Sequence, residues 1–212
     1  EPCKNLADLT SKMKIETYDK FWTFQLSNKI LSKHGKFDII YSANTISHIH
    51  NLNETFKAIE NSLDFNGIFI LEDPSLLKSL QKLSYDQFYD EHAYVFSITA
   101  LKNITKQSGL EVFNVEELKT HGGSNRVYFK KINNKTIKIS NTVNKHLLKE
   151  KNFGINKLQT YRIFANKVLR SRKNLVKIFQ NLKKEKKNII GYGATYKSST
   201  VLNFCKIDKK FI

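Results

Sequence analysis

Cysteine is scarce in this chain: Cys3 and Cys205 are the only two in 212 residues. Two thiols cannot build a disulfide framework or, alone, a structural zinc site. Long hydrophobic runs are missing too. Apolar stretches such as Phe37–Tyr41 and Gly67–Leu71 fall far short of the roughly 20 residues of a membrane span. No apolar block stands behind a basic start in residues 1–30, so a signal peptide is not evident. The expected setting is the cytoplasm, with no membrane contact. Pro is nearly absent, with two residues, and at 40% hydrophobic and 12% aromatic the chain is too apolar for wholesale disorder.

Acidic residues are also in deficit, 19 against 36 Lys and Arg, for a formal charge of +17. The imbalance is local. Residues 130–187 hold 18 basic and two acidic residues (Glu150 and Glu185), net +16, which leaves the rest of the chain at +1. Only Arg126, Arg162, Arg170 and Arg172 are arginine, leaving 32 lysines. Base reading and bidentate phosphate clamps favour Arg, so a Lys excess reads as a solvated face rather than a nucleic-acid surface.

Up to residue 131 helical and strand patterns alternate. Leu6, Leu9 and Met13 suggest a short helix, and Phe21, Phe24, Ile30 and Leu31 another. Phe37–Tyr41 reads as a buried strand. A helix through Phe56, Ile59 and Leu63 should close at Asn66-Gly67, and Gly67–Leu71 reads as a second buried strand. A helix over Ser97–Ser108 should stop at Gly109. Two more alternating strands follow, Glu111–Leu118 and Asn125–Lys131. This order predicts an α/β fold, a parallel sheet covered by helices on both faces and finished by an antiparallel hairpin. Such a sheet is the pattern of class I, Rossmann-like methyltransferases, although periodicity alone also allows other doubly wound folds. Residues 132–153 are polar and read as a connector, and Leu158 to about Lys184 as one long amphipathic helix or a broken pair. Asn188–Gly193 reads as a strand entering a Gly-containing turn, with a helix after it.

Three clusters carry candidate chemistry. In Tyr89-Asp90-Glu91-His92 a phenol and two carboxylates surround an imidazole, the usual general base at neutral pH; a plain polar loop is the alternative. Asn44-Thr45-Ile46-Ser47-His48 lies at the carboxyl end of a strand, where open α/β sheets bind ligands; Asn44 or Thr45 as a helix N-cap is the plainer reading. His48 and His50 are two apart, so one at most is expected to face a site. In His121-Gly122-Gly123-Ser124-Asn125-Arg126 the paired glycines allow either a ligand to approach the backbone or a tight turn. Gly191-Tyr192-Gly193-Ala194 is a weak dinucleotide signal, since Tyr196 holds the third glycine position. Cys205 reads as a packed helix residue rather than a nucleophile.

In order, these clusters resemble the S-adenosyl-L-methionine-dependent deoxysugar C-methyltransferases, which methylate carbon 3 of nucleotide-linked 4-keto-deoxyhexoses. The resemblance rests on Glu1-Pro2, "FDIIYSANTISHI" at 37–49, "GIFILEDP" at 67–74, "FYDEHAYVFS" at 88–97, "HGGSNRVYF" at 121–129 and "GYGATYKSSTVLNFC" at 191–205. It implies the C-terminal part of a methyltransferase domain over 1–131, a connector and long basic helix over 132–187, and the start of a C-terminal α/β domain that helps hold the sugar nucleotide over 188–212. The family's cysteine-ligated zinc module and its Gly-rich cofactor loop have no counterpart here, so the resemblance implies a piece of a longer enzyme, inactive alone. Ser198 stands where relatives often have Gly.

By the same resemblance His92 is the general base, with Tyr89, Glu91 and His48 in the same pocket and Glu91 able to orient His92. Tyr89 or His48 would stabilise the enolate oxygen. Glu1 would accept hydrogen bonds from the cofactor ribose, and Asn44 would line the cofactor pocket. His121, Gly122, Gly123, Ser124, Arg126 and Lys197 would contact the keto-deoxysugar nucleotide. Two other functions remain open from the sequence: a basic nucleic-acid-binding protein using 130–187, and a methyltransferase acting on oxygen or nitrogen.

Overall fold

A computed structural model describes residues 1–193 and 195–212. Four strands form a single sheet: β1 (Phe37–Ala43), β2 (Leu63–Pro74), β3 (Leu110–Leu118) and β4 (Ser124–Lys131), in the order β1-β2-β4-β3. β1 and β2 are parallel; β4 runs antiparallel to both β2 and β3. The expected hairpin is therefore present, with β3 at the edge and β4 inserted beside β2.

One face of the sheet carries Phe69, Leu71, Val112, Val115, Val127 and Phe129, packed against α3 (Leu52–Ser62), α5 (Ile98–Gln107) and Val143 of α6 (Asn141–Phe153). Phe56, Phe69 and Phe129 are fully buried, with ring centroids 5.2–6.5 Å apart. Each such ring contributes about 1.5–3 kcal/mol by leaving water. The opposite face differs from expectation. Ile39 and Tyr41 are 61% and 58% exposed there, so the second helical layer does not cover them among the described residues. β1 is accordingly an edge strand with one apolar side in solvent, not a buried one.

Four further elements depart from the sequence expectation. The helix before β2 ends at Ser62, and the strand begins at Leu63 and runs through Asn66-Gly67. The β1–β2 register slips between Phe37 and Ile39. A Cβ at Gly67 would lie 2.6 Å from the Phe37 carbonyl oxygen, so this glycine permits the close backbone approach rather than stopping a helix. A short helix, α4 (Leu76–Lys82), follows β2 with Ser75 as its N-cap. Within the stretch read as a connector, α6 packs on β3 and α5, because a polar sequence can still bury one residue per turn: Val143, His146 and Glu150. Residues 188–193 form no strand, and among the described residues no backbone pairs with them.

α1 (Lys4–Lys12) and α2 (Phe24–His34) precede the sheet, and Thr23 caps α2 through the Leu26 N–H. α7 (Leu158–Lys184) is one continuous helix of 27 residues. α8 (Tyr196–Cys205) follows it and buries Cys205, as expected.

Candidate active site

The carboxyl ends of β1 and β2 place the first two clusters side by side. Asn44 leaves β1 with φ +50°, a conformation Asn tolerates, and its N–H donates to the Glu72 carbonyl. The chain then makes a 3₁₀ turn over Ile46–His48. Ser47 is buried in that turn and donates through Oγ to Asp73 Oδ1 at 2.8 Å. Its carbonyl accepts from the Tyr94 N–H. The turn that presents His48 is thereby tied both to the end of β2 and to the segment after His92.

His92 sits at the centre of a hydrogen-bonded chain. Its Nδ1 lies 2.8 Å from the Gln87 carbonyl and its Nε2 lies 3.0 Å from the Tyr89 hydroxyl. A carbonyl only accepts, so Nδ1 carries the proton and Nε2 presents a lone pair to the phenol. The His48 ring packs edge-on against His92, with centroids 4.9 Å apart. Burial, helped by the positive fields of His48 and Lys197, holds the His92 pKa below the ordinary histidine value. The ring is therefore neutral near pH 7. Burial first, and then the Glu91 charge, raises the Tyr89 pKa, which keeps the phenol protonated.

Glu91 does not orient His92 through a hydrogen bond; that position is taken by the Gln87 backbone, and the Glu91 side chain is exposed. Its influence on the ring is that of a nearby charge. Tyr196, at the start of α8, stacks on Tyr89 with ring planes 5° apart, which brings Lys197 to the same site. Ser198, in place of the expected Gly, closes a reciprocal capping box with Thr195 at the N-terminus of α8. Ala194 of the Gly191-Tyr192-Gly193-Ala194 signal lies outside the described residues.

The His121–Ser124 loop abuts the His92 segment through Gln87, whose side-chain Nε2 donates to the His121 carbonyl at 3.0 Å. Lys82 donates to the Gly122 carbonyl. Gly123 has φ +133°, and a Cβ there would meet Lys78 side-chain carbons at 2.9 Å, so the second glycine is demanded by the turn itself. Ser124 is buried and bonded to the Thr120 carbonyl. Arg126 departs from the expected grouping. It pairs with Glu72 and Glu116 across the neighbouring strands, committed to holding β2, β4 and β3 together.

A cleft of about 580 Å³ opens beside His48, lined by Glu1, Trp22, Thr45, His48, Ile49 and His50 among others. A second cleft of about 390 Å³ shares Glu1, Trp22, Thr45 and Ile49 with it. Both histidines of the pair thus border the first cleft, although one alone was expected to, and His48 is the one that reaches His92. Asn44 lines neither; Ala43 and Thr45 take that place. Glu1 accepts from the Cys3 N–H, which lowers its pKa and keeps it ionised. Sequence reasoning missed Gln87, Asp73 and Trp22. Asp73 lies within the 67–74 segment, but its bond to Ser47 is 26 positions away, Trp22 reaches Thr55 across 33, and Gln87 joins His92 to His121, 34 positions on. Among the described residues no group of three or more His, Cys, Asp or Glu is placed to hold a metal ion. Nor is any helix among the described residues long and apolar enough to cross a membrane.

The strand order, the single antiparallel strand and the site at the carboxyl end of β1 and β2 define a class I methyltransferase sheet. Residues 3–115 match the family described as methyltransferase domain, and residues 119–212 the family described as C-methyltransferase C-terminal domain. The first match spans more than half of the chain, and the chain belongs to the methyltransferase family. It is similar to the C-methyltransferase NovU of Streptomyces niveus, with 28% identity over 205 residues, 97% of this chain and 49% of the relative. The chain therefore spans about half the length of that curated relative. Among solved structures, a S-adenosylmethionine-dependent methyltransferase from Clostridium acetobutylicum is 17% identical, covering 58% of this chain and 68% of that one at a TM-score of 0.42. Magnesium protoporphyrin IX methyltransferase from Synechocystis is 16% identical, covering 48% of each chain at a TM-score of 0.36.

Proposed function

We propose that these residues belong to an S-adenosylmethionine-dependent C-methyltransferase that acts on carbon 3 of a nucleotide-linked 4-keto-deoxysugar. The observation that carries this reading is the Gln87–His92–Tyr89 chain, with His48 beside it and a cleft at its edge. Methylating carbon requires a carbanion, and a C–H next to a ketone is acidic enough for a neutral imidazole to accept its proton. His92 Nε2 is that base. At rest the Tyr89 hydroxyl donates to it; when a ketone oxygen takes the Tyr89 hydrogen bond, the Nε2 lone pair is released toward the adjacent carbon. Tyr89, with His48, then stabilises the enolate oxygen.

The residues lining the clefts suit S-adenosylmethionine. Glu1 holds the Cys3 N–H with one carboxylate oxygen, leaving the other to accept from a ribose diol, and Trp22 with Ile49 supplies apolar wall. Bound there, the cofactor supplies an electrophilic methyl group. Glu1 and the carboxyl end of β1 orient it, and Lys197 with the His121–Ser124 loop holds the anionic sugar nucleotide.

His92→Ala in the complete gene product is expected to lower methyl transfer to a 4-keto sugar nucleotide by about 10²–10⁴-fold, the range for loss of a general base. In the native enzyme the substrate C–H should exchange with deuterated solvent. Undiminished turnover of the variant would remove His92 from the role of base. A methyl group found on oxygen or nitrogen of the product would replace C-methylation with another chemistry.

A further inference from the structure

We propose that Gln87 is the positioning residue of this site: it sets the tautomer of His92 and couples the base to the His121–Ser124 loop. The inference rests on the reading of His92 as the base. Gln87 ends the 3₁₀ turn Tyr85–Gln87 and is only 3% exposed. Its two functional groups face opposite ways. The backbone carbonyl accepts from His92 Nδ1 at 2.8 Å, while the side-chain Nε2 donates to the His121 carbonyl at 3.0 Å. One residue therefore ties the imidazole to the turn that presents Gly122 and Gly123.

The chemistry gives this connection a direction. A neutral imidazole has two tautomers, and only the one protonated at Nδ1 leaves Nε2 free to act as a base. Glu91, the adjacent carboxylate, is exposed and makes no hydrogen bond to the ring. The tautomer is thus chosen by a carbonyl, which cannot donate whatever the pH. That carbonyl stays in place only while its backbone does, and the Gln87 amide anchors that backbone to the neighbouring loop across 34 residues of sequence.

The amide is retained at a cost. Gln87 Oε1 is buried with no hydrogen-bond partner among the described residues. If filling space were the residue's whole contribution, a leucine or methionine would pack there without stranding an acceptor. Movement of the His121–Ser124 loop, as when a substrate settles on it, passes through the same amide to the orientation of His92.

The test uses the complete gene product. In the native protein, nitrogen chemical shifts of His92 should show a protonated Nδ1 and an unprotonated Nε2 near neutral pH. The opposite tautomer would overturn the proposal without any variant. Gln87→Leu is expected to mix the two tautomers and to lower kcat by about 10–100-fold, the usual effect of losing the partner that orients a functional histidine. KM for S-adenosylmethionine should stay within about twofold, since Gln87 lines neither cleft. Gln87→Glu can donate to the His121 carbonyl only when protonated, so its activity relative to native should rise as the pH falls. A folded Gln87→Leu protein with native kcat and native His92 shifts would sink the proposal. If Gln87→Leu alters the tautomer while His92→Ala leaves turnover intact, Gln87 still positions His92 and it is the reading of His92 as base that fails.

Discussion

Asp73 is the least comfortable side chain in the protein. It is buried at the end of β2, and one oxygen accepts from Ser47 while the other has no partner among the described residues. Burial pushes its pKa from 3.8 up to about 6, against the lowering effect of the Ser47 bonds. Because the folded pKa lies above the ordinary value, the unfolded chain gives up this proton more readily. The contribution of Asp73 to stability is therefore fully present below about pH 4 and lost as the pH rises through about 6. Asp73→Asn removes the titration while keeping an acceptor for Ser47. The stability difference between variant and native should become more favourable to the variant by about 2–3 kcal/mol between pH 4 and pH 8, since each pKa unit is worth about 1.4 kcal/mol. Urea unfolding at the two pH values checks it, and a difference that does not change with pH refutes it. An acid tolerated at this cost lies directly under the turn that presents His48, which ties its presence to the site rather than to the core.

At the scale of elements, α6 illustrates what composition conceals. Glu150, fully buried, accepts from the Ile98 and Thr99 N–H groups and from the Thr99 hydroxyl at 2.6–2.8 Å. It thus satisfies the N-terminus of α5 from a helix 50 residues later, where the helix dipole favours a negative charge. Glu150→Ala leaves the buried Ile98 N–H and the half-buried Thr99 N–H unpaired and opens a cavity, and should cost about 3 kcal/mol. A denaturant midpoint unchanged by the substitution would show that α6 does not hold α5. The sheet, the α3 and α5 helices and the β3–β4 hairpin are legible from local pattern, since apolar period and turn residues suffice to place them; the Tyr89–His92 and His48 clusters stand out locally as polar groups, and only the family resemblance joins them into one pocket. What is not legible depends on distant partners. Val143, His146 and Glu150 make α6 structural within a polar stretch, β2 extends back to Leu63 because Gly67 lets Phe37 come close, and β1 is exposed on one side because burial is decided by neighbours. Asn188–Gly193 has the composition of a strand, but among the described residues no strand pairs with it. In the site, Gln87 carries no local signature, Asp73 lies in a recognisable segment that does not reveal its bond to Ser47, and Arg126, which belongs to a recognisable loop motif, is drawn away by Glu72 and Glu116.

Across the whole molecule, the charge of +17 has a structural location. Most of it lies on α6 and α7. In α7 only Val168 is buried, and Leu158, Ile163, Leu169 and Ile178 are 47–65% exposed. A nucleic-acid surface needs cations that are free to displace counterions from successive phosphates. Here several are committed within the protein. Lys130 pairs with Glu111, Lys131 with Glu60 and Lys149 with Glu117, while Arg172 lies over the Phe204 ring and Lys183 over Phe211. The remaining α7 lysines, Lys167, Lys173, Lys177 and Lys184, are exposed, but Lys offers no bidentate grip on phosphate. Binding to duplex DNA or to RNA is therefore expected to be no tighter than about 10⁻⁶ M at physiological salt, the range of non-specific electrostatic attachment. Retention on a filter should respond to salt with a slope reflecting two or three phosphate contacts. A dissociation constant far below that limit at low salt, rising a thousandfold or more between 50 and 200 mM salt, would mean that six or more phosphates are engaged together. That outcome would make the basic helix a nucleic-acid site. The expected weak, shallow response would leave its charge as a solvated surface, as the excess of Lys over Arg suggests.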